Sequence, residues 1–306
     1  MERGIQVESK MKKHIFVFLY GIVLTAFTVY ILLDTFVISR VYRNVPENDS
    51  GSITVTEQTE QTEQTEQTSY SDDNITITLS EYRKNDTTIY VADVELSSAE
   101  YLKTALARNS YGRNVTQKTS AMAEDNKAIL AINGDYYGAR EKGYVLRNGI
   151  LYRETSSGEQ EDLVIYEDGM FEVITEKDIS AGELLNNGVV QILSFGPALV
   201  TDGQISVTEN EEVGKAKSSN PRTAIGIIDK LHYVFMVSDG RTDESKGLSL
   251  REVAEFMVSL GVKTAYNLDG GGSSTMYFNG EIVNNPTTNG NRIEERSVSD
   301  IVYIGY

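Results

Sequence analysis

The stretch NLDGGGSSTMYFNG, from Asn267 to Gly280, is the least ordinary part of the sequence. An apolar, strand-like run ends there at Asp269, three glycines and two serines follow, and a second strand-like run comes next. Glycine tolerates positive φ at low cost, so a tight connection between two strands is one explanation of this pattern. The other explanation is a backbone that closely approaches a ligand, with the carboxylate of Asp269 directed at it.

The three glycines do not form a dinucleotide-binding motif or a P-loop. Both motifs require a helix immediately after the glycines, and the sequence GxxxxGK[ST] is absent from the chain. The residues STMYFNG instead predict a strand. Such a loop could still offer backbone N–H groups to an anion, with the hydroxyls of Ser273 and Ser274 beside them.

Two other apolar runs end in the same way as this one. AINGDYY brings Asn133, Gly134 and Asp135 to the end of a predicted strand, and MVSDGRT brings Asp239 and Arg241. One Asp-Gly pair at a strand end is usually turn chemistry. Ligands bind at strand ends in mixed α/β sheets, so three such ends in one domain predict a shared site.

The remaining pattern predicts an α/β (α+β) fold with a mixed, largely buried β-sheet, flanking helices and a hairpin-rich insertion. NITITLSEYR and TTIYVADVEL predict neighbouring strands, and NG and DG pairs predict hairpins between about Tyr144 and Val207. TSAMAEDN predicts a short helix, and KAILAIN predicts a buried strand.

Capping boxes predict the starts of two helices. Ser97 and Glu100 have the spacing of a capping box for a short helix over SSAEYLKTALA. Ser249 and Glu252 have the same spacing before LREVAEFMVSLG, whose apolar residues fall on one helical face and which Gly261 is placed to terminate.

The N-terminus predicts a membrane anchor. Ile15 to Leu33 carries no charge and is long enough to span a bilayer. Lys10, Lys12 and Lys13 precede it and favour a cytoplasmic N-terminus, although Arg40 and Arg43 follow it. A cleaved signal peptide is the alternative, but the apolar run is long for one and no clean A-x-A site follows.

The chain is therefore divided into four segments, and its main domain is placed outside the cytoplasm. Residues 1–13 form a cytoplasmic tail and 14–38 a transmembrane signal anchor. Residues 39–73 form a disordered spacer that contains the repeat TEQTEQTEQTEQTS, a polar segment with nothing to bury. Residues 74–306 form the folded domain.

Composition excludes several kinds of chemistry. The chain has no cysteine, so thiolate nucleophiles and thiolate zinc sites are impossible. Only His14 and His232 are present, and His232 lies in a strand-like run where packing or an edge position is favoured over catalysis. The net charge of −17 argues against nucleic acid as a partner. No EF-hand-like spacing occurs, so no metal or other cofactor is expected.

Several motifs, in order, resemble those of the phosphodiester glycosidase family, whose bacterial members are often labelled exopolysaccharide biosynthesis proteins. They are NGDYYG, NPRTAIGI, SDGRT with GLSLREVAEFMVSLG, NLDGGGSSTM and ERSVSDIVYI. The resemblance covers roughly Asn126 to Tyr306. It implies hydrolysis of a sugar-1-phosphodiester at the sugar C1–O bond, in a cell-envelope or exopolysaccharide glycan. Ser297 stands where many relatives have Pro, a small loop difference.

The residue inventory agrees with that reaction. A phosphomonoester is already a good leaving group, so arginines that bind the phosphate can replace much of the proton donation that an ordinary glycosidase needs. We predict Asp135 and Asp269 as the catalytic carboxylates, with Arg241 and Arg222 as catalytic cations. The predicted substrate-binding residues are Asn133, Gly134, Tyr136, Tyr137, Asp239, Asn267, Gly270, Gly271, Gly272, Ser273, Ser274 and Arg296.

The role of each group stays open at this stage. Either aspartate could be the nucleophile, the base or an anchor for sugar hydroxyls. Arg296 could pair with Glu294 or Glu295, and Tyr136 and Tyr137 could be core residues. A non-catalytic glycan-binding module and a hydrolase of ordinary glycosidic bonds are the alternative functions, since a shared fold does not guarantee activity.

Overall fold

The structure is a computed structural model that describes residues 2–45, 69–208, 219–288 and 292–306. The helices are α1 (Glu2–Phe36), α2 (Thr119–Asp125), α3 (Ala181–Asn186) and α4 (Leu250–Ser259). The strands are β1 (Arg40–Asn44), β2 (Ser69–Ser71), β3 (Ile75–Lys84), β4 (Thr87–Leu96), β5 (Leu102–Leu106), β6 (Ser110–Arg113), β7 (Leu130–Asn133), β8 (Val145–Arg147), β9 (Ile150–Arg153), β10 (Glu161–Tyr166), β11 (Phe171–Thr175), β12 (Val189–Leu193), β13 (Ala198–Thr201), β14 (Gln204–Ile205), β15 (Arg222–Asp229), β16 (His232–Ser238), β17 (Thr264–Asn267), β18 (Met276–Phe278), β19 (Glu281–Ile282), β20 (Thr287–Thr288), β21 (Arg292–Ile293) and β22 (Asp300–Ile304).

The described strands form five sheets, of which three have five or more strands. The largest has eight strands in the order β14-β13-β17-β15-β16-β4-β3-β2, and a second has five in the order β19-β18-β7-β22-β5. The hairpin-rich region forms a third, with the order β11-β10-β12-β8-β9. Helices, buried strands and this insertion confirm the predicted α+β class. Every pairing between the described strands is antiparallel, so the parallel pairs that a mixed sheet would also contain do not occur among them.

The main core lies between the eight-stranded sheet and the five-stranded sheet that contains β7 and β22. Ile77, Phe235 and Tyr266 on the first sheet belong to the same buried cluster as Ile132 and Val302 on the second. Helix α4 covers the other face of the large sheet, and α2 covers the outer face of the smaller one. Because both sheets are covered on both faces, their central strands are apolar on both sides.

Most local predictions are confirmed. Helix α4 begins with a complete capping box, since Ser249 accepts from the Glu252 N–H and the Glu252 carboxylate accepts from the Ser249 N–H. The helix gives way to Gly261 at φ +82°. The hairpins at Asn148-Gly149 and Asn279-Gly280 also form, between β8 and β9 and between β18 and β19.

The predicted helix over SSAEYLKTALA is wrong. Only a single 3-10 turn, Ala99–Tyr101, forms there, and its cap is Ser98 instead of Ser97. Leu102–Leu106 is strand β5, which pairs with β22. Tertiary pairing therefore overrides a local helical preference, because the five-stranded sheet needs an edge strand at this point.

The N-terminal helix contains one segment, Val17–Phe36, that is long and apolar enough to cross a membrane, and none of it is buried against the protein. Both ends of the predicted spacer are strands: β1 pairs with β6, and β2 pairs with β3. The repeat itself, residues 56–68, lies outside the described residues.

Candidate active site

Strand ends from two sheets meet at one place. The side-chain amide of Asn133, at the end of β7, donates to the backbone carbonyl of Asp269, 2.6 Å away, in the loop after β17. The Asp269 N–H donates in turn to the carbonyl of Gly134 at 3.2 Å. Thr223 of β15 donates to the Asn133 side chain at 2.9 Å. The predicted convergence of the β7 and β17 ends is confirmed.

The loop after β17 needs glycine for packing reasons. Gly271 has φ +65°, and a Cβ there would lie 2.7 Å from Nη2 of Arg241. A Cβ at Gly270 would lie 2.9 Å from the Pro221 carbonyl, and one at Gly272 would lie 2.9 Å from the Thr288 hydroxyl. The chain therefore passes tightly between its neighbours, with Arg241 resting on Gly271.

The backbone N–H groups of this loop are largely used inside the protein. The Gly271 N–H donates to the Pro221 carbonyl at 2.8 Å, and those of Ser273 and Ser274 donate to carbonyls within the loop. The sequence suggested that such groups could bind an anion. Because these N–H groups already donate to carbonyls, side chains are the remaining candidates for binding an anion here.

Asp269 forms an ion pair at the mouth of the site. Its Oδ2 accepts from Arg296 Nη2 at 3.0 Å and from the Ser273 hydroxyl at 2.5 Å. The Arg296 side chain is 45% exposed, and the Asp269 carboxyl is 12% exposed. Burial raises the pKa of Asp269, and Arg296 and Ser273 oppose that rise. The sequence had suggested Glu294 or Glu295 as partners of Arg296, but it pairs with Asp269.

Arg241 places a second guanidinium next to the first. Its Nε and Nη2 donate to the side-chain oxygen of Asn220, at 3.3 and 3.0 Å. Burial and the charge of Arg296 lower the pKa of Arg241. Arg241 Nη2 borders Gly271, and Arg296 donates to the carbonyl of the preceding Gly270 at 3.4 Å, so both cations lie against the glycine loop. Arg241 has φ +65°, a left-handed backbone that costs a non-glycine residue about 1 kcal/mol. Two cations therefore lie on this loop, one of them on a left-handed backbone.

The other predicted cation and the predicted polar residues lie beneath the loop. Arg222 is 3% exposed, and its Nε donates to the Leu248 carbonyl at 2.8 Å. The Asn267 amide donates to the Gly196 carbonyl at 2.7 Å. The Asn267 side-chain oxygen and the Ser274 hydroxyl are buried and have no hydrogen-bond partner in the part of the chain that is described.

Asp135 is buried in an ion triad. Its Oδ2 accepts from Arg147 Nη2 and from the Ser194 N–H, both at 2.8 Å, and its Oδ1 accepts from the Tyr137 N–H at 3.0 Å. Arg147 also donates to Asp300 Oδ2 from Nη2, at 2.7 Å. Burial and the Asp135 charge raise the pKa of Asp300 to about 8. Asp135 is only 1% exposed, which favours a positioning role over contact with a substrate.

Asp239 also acts as an internal anchor. It accepts from the Asn285 N–H at 2.9 Å and from the Asn284 side chain at 3.2 Å. Asn284 in turn donates to the Ser274 carbonyl at 3.0 Å. The end of β16 is thereby linked to the glycine loop. Burial raises the pKa of Asp239, and the hydrogen bonds from Asn285 oppose this.

The two predicted aromatic residues separate. Tyr136 is 47% exposed and lines a cleft that also contains Arg296. Tyr137 is 1% exposed and stacks on Tyr111, with ring centroids 5.5 Å apart. Tyr137 is therefore a core residue in this structure, because the short turn after Asp135 directs successive side chains to opposite sides.

The family of the chain follows from its sequence. The model of the family described as "Phosphodiester glycosidase" matches residues 126–305, which include every strand end of the site. The chain belongs to this family. The expectation drawn from the ordered motifs is confirmed.

Two curated relatives show the extent of the similarity. The human N-acetylglucosamine-1-phosphodiester alpha-N-acetylglucosaminidase is 33% identical over 193 residues, 57% of this chain and 36% of that protein. YomE, an uncharacterized SPbeta prophage-derived protein of Bacillus subtilis (strain 168), is 28% identical over 203 residues, 64% of this chain and 31% of that protein. The matched part thus spans about a third of these relatives' length.

A solved structure has the same fold. The zebrafish N-acetylglucosamine-1-phosphodiester alpha-N-acetylglucosaminidase catalytic domain, described as auto-inhibited by its pro-peptide, superposes with a TM-score of 0.59. The match covers 88% of each chain at 19% identity. The two proteins therefore share a fold although few of their residues are identical.

Several residues that hold the site together could not be assigned a role from sequence alone: Asn220, which orients Arg241; Arg147, which binds Asp135; Asp300, which binds Arg147; and Asn284, which links two loops. For two of them, the sequence contains a feature that could have pointed to a role. Arg147 is a charged residue within a short apolar strand before an NG turn, and Asn220 opens the NPRT motif. His232 lies at the opposite end of β16 from Asp239, where its Nε2 is 2.9 Å from Asp93.

Proposed function

We propose that this protein is a membrane-anchored extracellular hydrolase that cleaves the C1–O bond of sugar-1-phosphodiesters in cell-envelope or exopolysaccharide glycans. The sugar is N-acetylglucosamine or a close analogue. Family membership and the printed activity of the human relative support the reaction class. The placement of Asp269, Arg296 and Arg241 at the glycine loop supports the location of the site.

The single observation that carries this proposal is the charge arrangement at the glycine loop. Arg241 and Arg296 are both exposed, and a nearly buried carboxylate, Asp269, lies against Arg296. Two cations and one anion leave a local positive charge on a chain whose net charge is −17. A phosphodiester carries one negative charge, which is the charge that this site lacks.

The chemistry then needs few protein groups. Water adds a hydroxyl to C1, the C1–O bond breaks, and the bonding electrons leave with the phosphate as a phosphomonoester. The second pKa of that product is about 6, so it leaves without strong proton donation. Arg241 and Arg296 stabilise its growing charge, and Asp269 acts at C1 as the nucleophile or as the base for water.

Other predicted residues support this site from behind. Asp135 holds Arg147 and the Ser194 N–H, and Asn133 fixes the Asp269 backbone. Arg222 lies beneath Gly270, where its Cδ is 4.0 Å from the position of a Cβ on that glycine. These residues hold the Asp269 carboxylate and the two guanidinium groups in fixed positions. Fixed positions of the reacting groups raise the reaction rate.

The cellular location is supported by the N-terminal helix. Val17–Phe36 is long and apolar enough to cross a membrane, with Asp34 as its one charged residue, and the lysines that precede it favour an outward domain. The arginines that follow it are engaged locally: Arg40 pairs with Asp34, and the Arg43 guanidinium lies 5.3 Å from the Tyr152 ring centroid. Protease added to intact cells should therefore remove the domain; its full protection would reverse the orientation.

Replacing Asp269 with Asn tests the catalytic proposal. We expect kcat/KM for an N-acetylglucosamine-1-phosphodiester to fall at least about a hundredfold, because the carboxylate that acts at C1 is lost. The matched control is Asp202→Asn, the same change at an exposed turn between β13 and β14. Release of free sugar and phosphomonoester should be measured, together with Tm.

Two results would contradict the proposal. Near-normal turnover by a folded Asp269→Asn variant would place the reaction elsewhere. Binding of the phosphodiester by the parent protein with no turnover at all would favour the alternative function, a non-catalytic glycan-binding or scaffold module.

A further inference from the structure

The outer end of the membrane helix forms one wall of the cleft beside Asp269. This cleft has a volume of about 420 Å³. Its lining includes Phe36 and Val37, at the end of α1, and Arg296, Ser297 and Ser299. Arg296 is also bonded to Asp269, so this cleft shares a residue with the candidate active site.

The helix end is attached directly to the domain. The Asn114 side-chain amide donates to the carbonyls of Thr35 and Ile38, at 3.2 Å each, and the Ser39 hydroxyl donates to the Asn114 carbonyl at 2.7 Å. Strand β1 then pairs with β6. These contacts hold the cleft next to the last turn of α1, because residues 37–44 run from the helix directly into strand β1.

The lining of the cleft combines apolar and charged side chains. Phe36 is 72% exposed, Val37 is 65% exposed and Tyr136 is 47% exposed, and all three border the cleft. Arg296 also borders the cleft. Aromatic side chains such as these are favoured at the boundary between lipid and water. A ligand that can contact both the charged and the apolar side chains has a phosphate and an apolar chain.

We propose that the substrate is a sugar-1-phosphodiester whose second ester is a membrane lipid, presented from the outer leaflet. The sugar and phosphate enter the cleft, and the lipid chain remains in the bilayer beside Phe36 and Val37. A volume of about 420 Å³ suits a sugar phosphate, since sites for small molecules occupy roughly 300–1,000 Å³. It leaves no room for the chain itself.

This inference rests on the proposed function and on the membrane anchor, and it adds the identity of the aglycone. A soluble polysaccharide phosphodiester would make no use of an apolar wall at the membrane surface. A lipid-linked substrate would be delivered to the cleft by diffusion in the same bilayer.

The test compares two substrates that differ only in their acyl chains. The full-length protein is reconstituted in phosphatidylcholine vesicles. One substrate is N-acetylglucosaminyl-α-1-phosphoryl-diacylglycerol in the same vesicles, and the other is the matching glycerol ester in solution. The main variant carries a twelve-residue Gly/Ser insertion after Val37, which separates the cleft from the membrane by roughly 20 Å and leaves the domain sequence unchanged.

We expect the parent protein to cleave the lipid substrate at least tenfold faster than the glycerol ester at equal bulk concentration. The insertion should lower lipid cleavage at least tenfold and change glycerol-ester cleavage less than twofold. Gly112→Val provides a second route, because its Cβ would lie 2.0 Å from the Arg40 carbonyl and would displace β1. It should give the same selective loss.

Failures of the two proposals are distinguishable. Equal rates on both substrates, or no effect of either variant, would overturn the lipid assignment and leave the hydrolase intact. Faster glycerol-ester cleavage after Gly112→Val would identify β1 as an inhibitory strand and would also overturn it. Cleavage of neither substrate by the parent protein would overturn the proposed function itself.

Discussion

Replacing Gly271 with Ala should impair the enzyme through Arg241. The new Cβ would lie 2.7 Å from Arg241 Nη2 and 3.3 Å from its Cζ, whereas ordinary contacts begin near 3.4 Å. The guanidinium must therefore move by about 0.7 Å, the difference between 3.4 and 2.7 Å. Misplacement of a positioning group by roughly 1 Å costs up to about a hundredfold in rate. We expect kcat/KM to fall about 10- to 100-fold.

The loss of stability should be small by comparison. The clashing atom is the end of a flexible side chain, so the main cost is the left-handed backbone of Gly271, at φ +65°. That cost is about 1 kcal/mol for Ala, which lowers Tm by roughly 2–4 °C in a domain of this size. Gly203→Ala is the matched control, because Gly203 has φ +71° and nothing within 4 Å of its Cβ position.

The assay combines thermal unfolding with a double-mutant cycle. Gly271→Ala and Gly203→Ala should lower Tm by similar amounts, and only Gly271→Ala should lower activity. In an Arg241→Ala background, Gly271→Ala should cost less than about twofold, since its target is already gone. If Gly271→Ala keeps activity within twofold of the parent, the position of Arg241 on the glycine loop does not matter for catalysis.

Three other predictions follow from the same structure. Arg241→Lys keeps the charge but loses the planar fork, so kcat/KM should fall roughly 10- to 100-fold for sugar-1-phosphodiesters and less for aryl glycosides; equal losses on both would contradict phosphate binding by Arg241. Arg147→Met leaves Asp135 and Asp300 buried without their cation and should cost about 3–5 kcal/mol of unfolding free energy, whereas Arg292→Met, in an exposed pair with Glu294, should cost less than about 1 kcal/mol. Asp162 is fully buried, and burial together with the charge of the nearby Glu176 raises its pKa from 3.8 to about 9. Between these two pH values the folded state holds a proton that the unfolded state releases. The stability of the protein should therefore fall as pH rises from about 4 to about 9. Asp162→Asn should flatten that dependence and raise Tm more at pH 8 than at pH 5, and an unchanged difference between the two pH values would show that Asp162 is ionised in the fold.

The sequence by itself determined the local features and the kind of chemistry. Alternation identified strands β3 and β4, the capping box identified α4, and Gly-containing pairs identified the hairpins, because each of these signals depends on neighbours along the chain. The absence of cysteine and the scarcity of histidine limited the site to Asp, Arg and polar groups. The ordered motifs identified the family.

Which of these residues are exposed at the glycine loop is set only by tertiary contacts. Asp135 and Asp269 both follow apolar strands and look equivalent in sequence, but Arg147 from a third sheet buries the first and leaves Arg296 for the second. Tyr136 and Tyr137 are adjacent, and only one is exposed. Leu102–Leu106 became a strand because β22, almost 200 residues away in sequence, supplies its hydrogen bonds. Contacts between distant segments set burial and pairing, and single-sequence patterns carry no record of them.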